Sequence, residues 1–161
     1  MSIILRDHID IDDLDFTPEQ LAPFILEMFL INNDISNYFL DDLRTAPDDF
    51  HEFETAEILL AVLKIFPKDE EINILSLDHD LGEGIMDGYD FVKALCALEY
   101  IPPIKEIRLH TDNMVGFKNM YYYLTNAQQH GILDSNIKID KRKWEVIDGV
   151  ARPLYTPIGN G

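Results

Sequence analysis

From Ile35 onward, short apolar runs alternate with longer stretches at helical spacing, and this alternation constrains the fold more than anything else in the chain. Ile35 to Leu40, Phe50 to Phe53, Ile72 to Leu77, Glu106 to Leu109 and Ile137 to Ile139 predict strands. Thr55 to Phe66, Tyr89 to Tyr100 and Val115 to His130 predict helices. Pro67 stops the first of these, and Ile101-Pro102-Pro103 breaks the chain after the second. Ile72, Ile74, Leu75 and Leu77 are nearly continuous apolar residues, as in a strand covered on both faces. The order predicts an α/β domain with a central parallel sheet between layers of helices, a three-layer sandwich. Ligands of such sheets bind beyond the carboxyl ends of the strands.

That rule selects three clusters. Asp41-Asp42, Asp78-His79-Asp80 and His110-Thr111-Asp112-Asn113 each follow a predicted strand directly, so distant positions meet at one sheet edge. Converging carboxylates repel; two unit charges about 4 Å apart cost about 4 kcal/mol at an effective dielectric of about 20. A hard cation such as Mg²⁺ or Mn²⁺ relieves that cost, and carboxylate oxygens are its preferred ligands. Protonation of one carboxyl relieves it too. Asp41, Asp42, Asp78 and Asp80 are therefore the candidate metal ligands. His79 and His110, with Asp78, are the candidate catalytic residues. Two imidazoles facing a phosphodiester can activate water and protonate the leaving oxygen. The plainer alternative is that each histidine only caps a strand end.

Arg44 pairs with a carboxylate or reaches for a phosphate. Asn113 opens a helix whose first N–H groups can hold an anion; Gly116 allows close approach and Lys118 adds a positive charge. As an ordinary N-cap, Asn113 would do none of this. Gly82, Gly84 and Gly88 let the backbone after Asp80 approach a ligand. The segment is not a P-loop, since it lacks the GK[ST] ending. It is not an EF-hand, because Glu83 and Tyr89 fall where Gly and Glu are required.

At these residues the chain resembles the cyclic-phosphate processing receiver-like domain family. Leu40-Asp41-Asp42-Leu43-Arg44 with Ala46-Pro47 is similar to its opening block. Ser76-Leu77-Asp78-His79-Asp80-Leu81-Gly82 and Gly88-Tyr89-Asp90 are similar to its central signature. His110-Thr111-Asp112-Asn113-Met114-Val115-Gly116 with Asn119-Met120 is similar to its third block, with Met114 in place of a usual proline and Phe117 in place of a common basic residue. The resemblance implies a receiver-like (flavodoxin-like) fold and the processing of cyclic phosphates, such as those on nucleotides. It implicates Asp41, Asp42, Arg44, Asp78, His79, Asp80, His110 and Asn113.

Residues 1–34 read as an N-terminal addition, residues 35–140 as the receiver-like domain and residues 141–161 as a C-terminal extension packed on it, a hairpin or an irregular tail. Thr17-Pro18-Glu19-Gln20 is a capping box, and Leu21, Phe24, Ile25, Met28 and Phe29 make an apolar stripe that ends at Asn32-Asn33-Asp34. The net charge is -17, and residues 1–54 hold fourteen acidic residues against Arg6 and Arg44. Such a chain repels nucleic-acid backbones, so nonspecific nucleic-acid binding is not expected. The acidic stretch is a solubilising surface, or else a face for a protein partner. Lys138, Lys141, Arg142 and Lys143 form the only basic cluster, read as a solvated loop. Of Tyr121-Tyr122-Tyr123, one is expected in the core and the others at the surface. The lone Cys96 lies in an apolar helical pattern, and with no signal peptide and no run of about 20 apolar residues a cytoplasmic, reducing location is expected.

The sequence favours a phosphoesterase acting on a cyclic phosphate or cyclic nucleotide. One alternative is a signalling receiver with Asp78 as phosphoacceptor and Thr111 as switch hydroxyl. No Lys-Pro pair follows the last core strand, where such receivers usually carry one. The other is a binding or inhibitor protein without turnover.

Overall fold

The computed structural model describes residues 16–31, 36–140, 144–147 and 150–153. Helix α1 covers Pro18–Ile31. There follow β1 (Asn37–Leu40), β2 (His51–Phe53), α2 (Ala56–Lys64), β3 (Ile72–Leu77), α3 (Gly88–Cys96), β4 (Ile104–Leu109), α4 (Met114–Gln129) and β5 (Lys138–Asp140). The five strands form one parallel sheet in the order β2-β1-β3-β4-β5. With its flanking helices this is a receiver-like, flavodoxin-like α/β fold. Trp144–Ile147 (β6) and Val150–Pro153 (β7) pair antiparallel as a separate two-stranded sheet, which matches the hairpin alternative for these residues; the rest of 141–161 lies outside the described residues.

Side-chain alternation divides the sheet into two faces. Tyr38, Leu40, Phe53, Leu75, Leu77, Ile107 and Leu109 occupy one face and share a single apolar cluster with buried residues of all four helices. The connection from β1 to β2 contains no helix. Residues 41–50 are a loop, interrupted by Pro47-Asp48-Asp49, that lays Ala46 and Phe50 over Phe39 on the opposite face. Helices were expected on both faces; among the described residues this loop supplies the cover on the second.

Local chemistry explains the helix ends. The Thr17 hydroxyl accepts from the Gln20 N–H at 3.2 Å and Gln20 Oε1 accepts from the Thr17 N–H at 2.9 Å, the predicted capping box. Of the predicted stripe of α1, Ile25 and Phe29 are buried and Leu21 and Met28 pack against the core, whereas Phe24 is 64% exposed and Ala22 and Leu26 are buried beside them. Helix α3 ends at Cys96, four residues before the predicted Tyr100. Leu98 packs on the core from the turn beyond, so the apolar pattern outlasts the helix. Strand β4 starts two residues earlier than predicted, at Ile104, directly after Pro103. Residues 1–15, the stop at Asn32-Asn33-Asp34, and Lys141, Arg142 and Lys143 lie outside the described residues. Lys138 is close to Glu106 at 3.6 Å. Tyr122 is exposed, while Tyr121 and Tyr123 are partly buried against the core, where one buried tyrosine was expected. No described helix is long and apolar enough to cross a membrane.

Candidate functional site

The first residue beyond each of three adjacent strands still belongs to the ladder. The Asp41 N–H donates to the Phe53 carbonyl, the Asp78 N–H to the Leu40 carbonyl and the His110 N–H to the Leu77 carbonyl, each at 3.0 Å. Backbone pairing therefore fixes where these three side chains start. They converge at the carboxyl edge, on the side of the sheet away from the helices, where His110 stacks on Phe39.

Asp41 organises the loop after β1. Its Oδ1 accepts the N–H groups of Leu43 and Arg44, both at 2.9 Å, an Asx-type turn. Its Oδ2 accepts from Arg44 Nη1 and His110 Nε2, both at 3.0 Å. Burial alone would push its carboxyl up, but the His110 hydrogen bond and the two backbone N–H groups hold it below the usual carboxylate value. The turn folds Arg44 back over the strand ends. Its Nη1 also donates to Asp78 Oδ2 at 3.2 Å, and its Nη2 to the exposed Asp112 at 2.6 Å. Arg44 thus ties the loops after β1, β3 and β4 together.

Asp41, Asp42 and Asp78 each offer a carboxylate oxygen within 4.8 Å of the others. Three carboxylates against one guanidinium leave a formal excess of two negative charges. The strain is visible in the acids. Burial, with repulsion from Asp41, raises the carboxyls of both Asp42 and Asp78. Asp42 Oδ1 is buried and has no hydrogen-bond partner among the described residues. An orphaned buried oxygen beside two like charges fits a divalent cation, which needs oxygen ligands and cancels that excess. A cation here competes with Arg44 for Asp41 and Asp78. Asp80, the fourth ligand candidate, lies outside this group because its carboxylate faces His79 and Asn113.

His79 sits on the flank. Its backbone N–H donates to Asp78 Oδ1 at 2.8 Å, and its Nδ1 lies 2.8 Å from Asp80 Oδ1. The carboxylate can only accept, so Nδ1 carries a proton. Nε2 is 3.7 Å from Asp87 Oδ2 and makes no hydrogen bond among the described residues. The arrangement is a carboxylate-oriented base next to the acidic cluster.

Two glycines hold that histidine in place. A Cβ on Gly116 would overlap the His79 ring, so this approach of α4 to the imidazole needs glycine there. A Cβ on Gly88 would meet the Asp78 carbonyl, and the Gly88 N–H donates to the His79 carbonyl at 2.8 Å. Gly116 and Gly88 were expected to approach a ligand; they approach His79 and Asp78 instead. Asn113 is the N-cap of α4. Its Oδ1 takes the Gly116 N–H at 2.9 Å and its Nδ2 donates to Asp80 at 3.3 Å. The cap therefore occupies an N–H that the anion reading required. Lys118 is exposed and makes no ion pair with the site among the described residues.

His110 departs most from expectation. Its side chain is 0% exposed, with Nδ1 2.7 Å from Ser76 Oγ and Nε2 3.0 Å from Asp41. Acid–base work on a substrate needs a ring nitrogen that the substrate can reach. Both His110 nitrogens are engaged inside the protein, whereas His79 Nε2 makes no hydrogen bond among the described residues. Ser76 and Asp112 lay within the blocks selected from the sequence but were given no role there, and Asp87 lay outside them. Asp87 was legible as the N-cap of α3, but nothing marked its closeness to His79. The thiol of Cys96 is pushed up by burial, as its apolar setting implied.

A family model described as cyclic-phosphate processing receiver domain matches residues 36–126, more than half of the chain. Neither the curated proteins nor the solved structures gave a match.

Proposed function

Because the chain belongs to the cyclic-phosphate processing receiver domain family, we propose that it is a phosphoesterase that opens a cyclic phosphate, such as that of a cyclic nucleotide, with water. The observation that supports this best is the pairing of a three-carboxylate cluster with a carboxylate-oriented histidine at one sheet edge. Asp41, Asp42 and Asp78 would hold a divalent cation, which supplies charge neutralisation and Lewis acidity when bound.

The protein's own residues account for the remaining steps. Without a cation, the excess negative charge at the strand ends repels a phosphate. Arg44 is the guanidinium in reach, and once displaced from Asp41 and Asp78 it can pair with phosphate oxygens in two-pronged fashion. His79 Nε2 removes a proton from the attacking water while Asp80 stabilises the resulting imidazolium. Water oxygen bonds to phosphorus, one ring P–O bond breaks, and the proton held on His79 goes to the departing oxygen. The products are one phosphomonoester and one free hydroxyl, so atoms and charge balance.

The test is to incubate purified protein with 2′,3′- and 3′,5′-cyclic nucleotides, with and without Mg²⁺ or Mn²⁺, and to resolve the products by phosphorus NMR. Cation-dependent formation of monoester is expected. No product under any condition, with ligand binding intact, leaves a binding protein and removes the hydrolase. The position of Asp78 at the end of a central strand beside two acids also favours a second reading, as phosphoacceptor. Both of its oxygens are already engaged, by the His79 N–H and by Arg44. Labelling by acetyl phosphate that is lost in Asp78→Asn would establish that reading instead.

A further inference from the structure

Ser76 has no assigned role, yet it is fully buried and its hydroxyl reaches a histidine at the site. The chain of contacts runs from Ser76 Oγ to His110 Nδ1 at 2.7 Å, and from His110 Nε2 to Asp41 Oδ2 at 3.0 Å. Its direction follows from the chemistry. An ionised carboxylate only accepts, so the shared proton sits on Nε2. In the neutral ring Nδ1 accepts, and the Ser76 hydroxyl is the donor that satisfies it; in a charged ring Nδ1 donates to Ser76, and the imidazole is held either way. The ring plane is fixed as well, because His110 stacks on Phe39 with centroids 4.4 Å apart and planes within 4°. Every torsion that could turn the imidazole is therefore opposed by a bond or a packed face.

We infer that Ser76 and His110 are positioning residues, which fix the Asp41 carboxylate so that it can share a divalent cation with Asp42 and Asp78. His110 exchanges no proton with substrate. The inference rests on the cation reading above and deepens it. Hydrogen bonds to a ligating carboxylate set its orientation, and losing such outer partners typically weakens metal binding by about 10- to 100-fold. Oδ2 of Asp41 also holds Arg44, so without His110 the guanidinium is the remaining side chain that directs it.

The experiment measures Mn²⁺ affinity of the full chain by calorimetry for the wild type, Ser76→Ala, His110→Gln and His110→Leu. The glutamine amide can still donate to Asp41, whereas leucine cannot. His110→Leu is expected to weaken Mn²⁺ binding by about 10-fold or more. Ser76→Ala should weaken it by several-fold, and His110→Gln should recover most of the wild-type affinity and turnover. Equal affinity in all four proteins overturns the proposal. Wild-type affinity with abolished turnover in His110→Gln also overturns it, since His110 would then be an acid or base. If His110→Leu does not fold, the near-isosteric Ser76→Ala decides. Nitrogen NMR of the imidazole supplies a readout independent of metal. The wild type should show Nε2 protonated, with Nδ1 shifted in Ser76→Ala. If the wild type binds no Mn²⁺, the cation reading falls. Positioning is then judged by the Asp41 carboxyl carbon shift, which must move in Ser76→Ala and His110→Leu and stay near wild type in His110→Gln.

Discussion

Arg44 faces Asp41, Asp78 and Asp112 at once, and its guanidinium is the cation that the described residues set against the acidic cluster. Replacing it with Met removes the guanidinium that Asp41 and Asp78 share. Breaking a buried pair from one side costs about 3–5 kcal/mol; partial exposure of Arg44 reduces the expected loss to about 2–3 kcal/mol near neutral pH. The pH dependence has a definite sign. Without the guanidinium, the Asp78 carboxyl, which burial and repulsion from Asp41 already raise, rises further above its unfolded value, while the His110 hydrogen bond and the backbone N–H groups still hold Asp41 down. Stability is then retained at low pH and lost as pH rises through the raised value. Denaturant melts of Arg44→Met should therefore approach the wild type on acidification. A constant gap from pH 4 to pH 8 would contradict this account. At this scale the sequence was legible where backbone geometry alone decides. Asp41, Asp78 and His110 follow strands, and the parallel ladder aligns strand ends. It was not legible where side-chain burial decides. His79 and His110 look alike in the sequence, but the ladder buries one against Phe39 and Ser76 and leaves the other on the flank.

At the scale of elements, the fit of α3 and α4 against the β3 loop matters most. Gly88 begins α3 with its Cα against the Asp78 carbonyl, so Gly88→Ala requires the helix to move away. Overpacking against backbone typically costs about 1–3 kcal/mol, and the upper end is expected here, read by thermal or denaturant melts. The same change should shift the His79 ring resonances. Unchanged stability and unchanged shifts would mean that α3 does not set the loop. The sequence marked Gly88 and Gly116 as unusual but pointed them toward a ligand, because a lone chain cannot reveal which neighbour needs the space. The stripe of α1 shows a related limit. Phe24 is more apolar than Ala22, so hydrophobicity selects it for the stripe, yet Ala22 is buried and Phe24 is exposed. The capping boxes at Thr17 and Asp87 depend on residues three apart and are the most local signals in the chain. The Thr17 box was read correctly for that reason.

At the scale of the whole molecule, the alternation of strands and helices specified the parallel sheet, because few other arrangements bury such segments. The missing helix between β1 and β2 was implicit in Asp41 to Phe50, a segment short on apolar periodicity. It matters for function, since the loop leaves the side of the sheet that receives Asp41, Asp78 and His110 without a helix over β1. The charge of -17 adds a global constraint. A protein this acidic, with an acidic cluster at its strand ends, should gain stability from a cation that binds only the folded state. Saturating Mg²⁺ or Mn²⁺ at about 100 times its dissociation constant should add about 2.7 kcal/mol to the unfolding free energy, and Asp42→Asn should remove most of that gain. Stabilisation equal to that produced by ionic strength alone would argue against a specific site.

The central claim, hydrolysis by an Asp80-oriented His79 beside the carboxylate cluster, is tested most directly by single-turnover cleavage of a 2′,3′-cyclic nucleotide with Mn²⁺, comparing wild type with His79→Ala. Monoester product is expected from the wild type, and a rate at least about 100-fold lower from the folded variant. Undiminished cleavage by His79→Ala would contradict it.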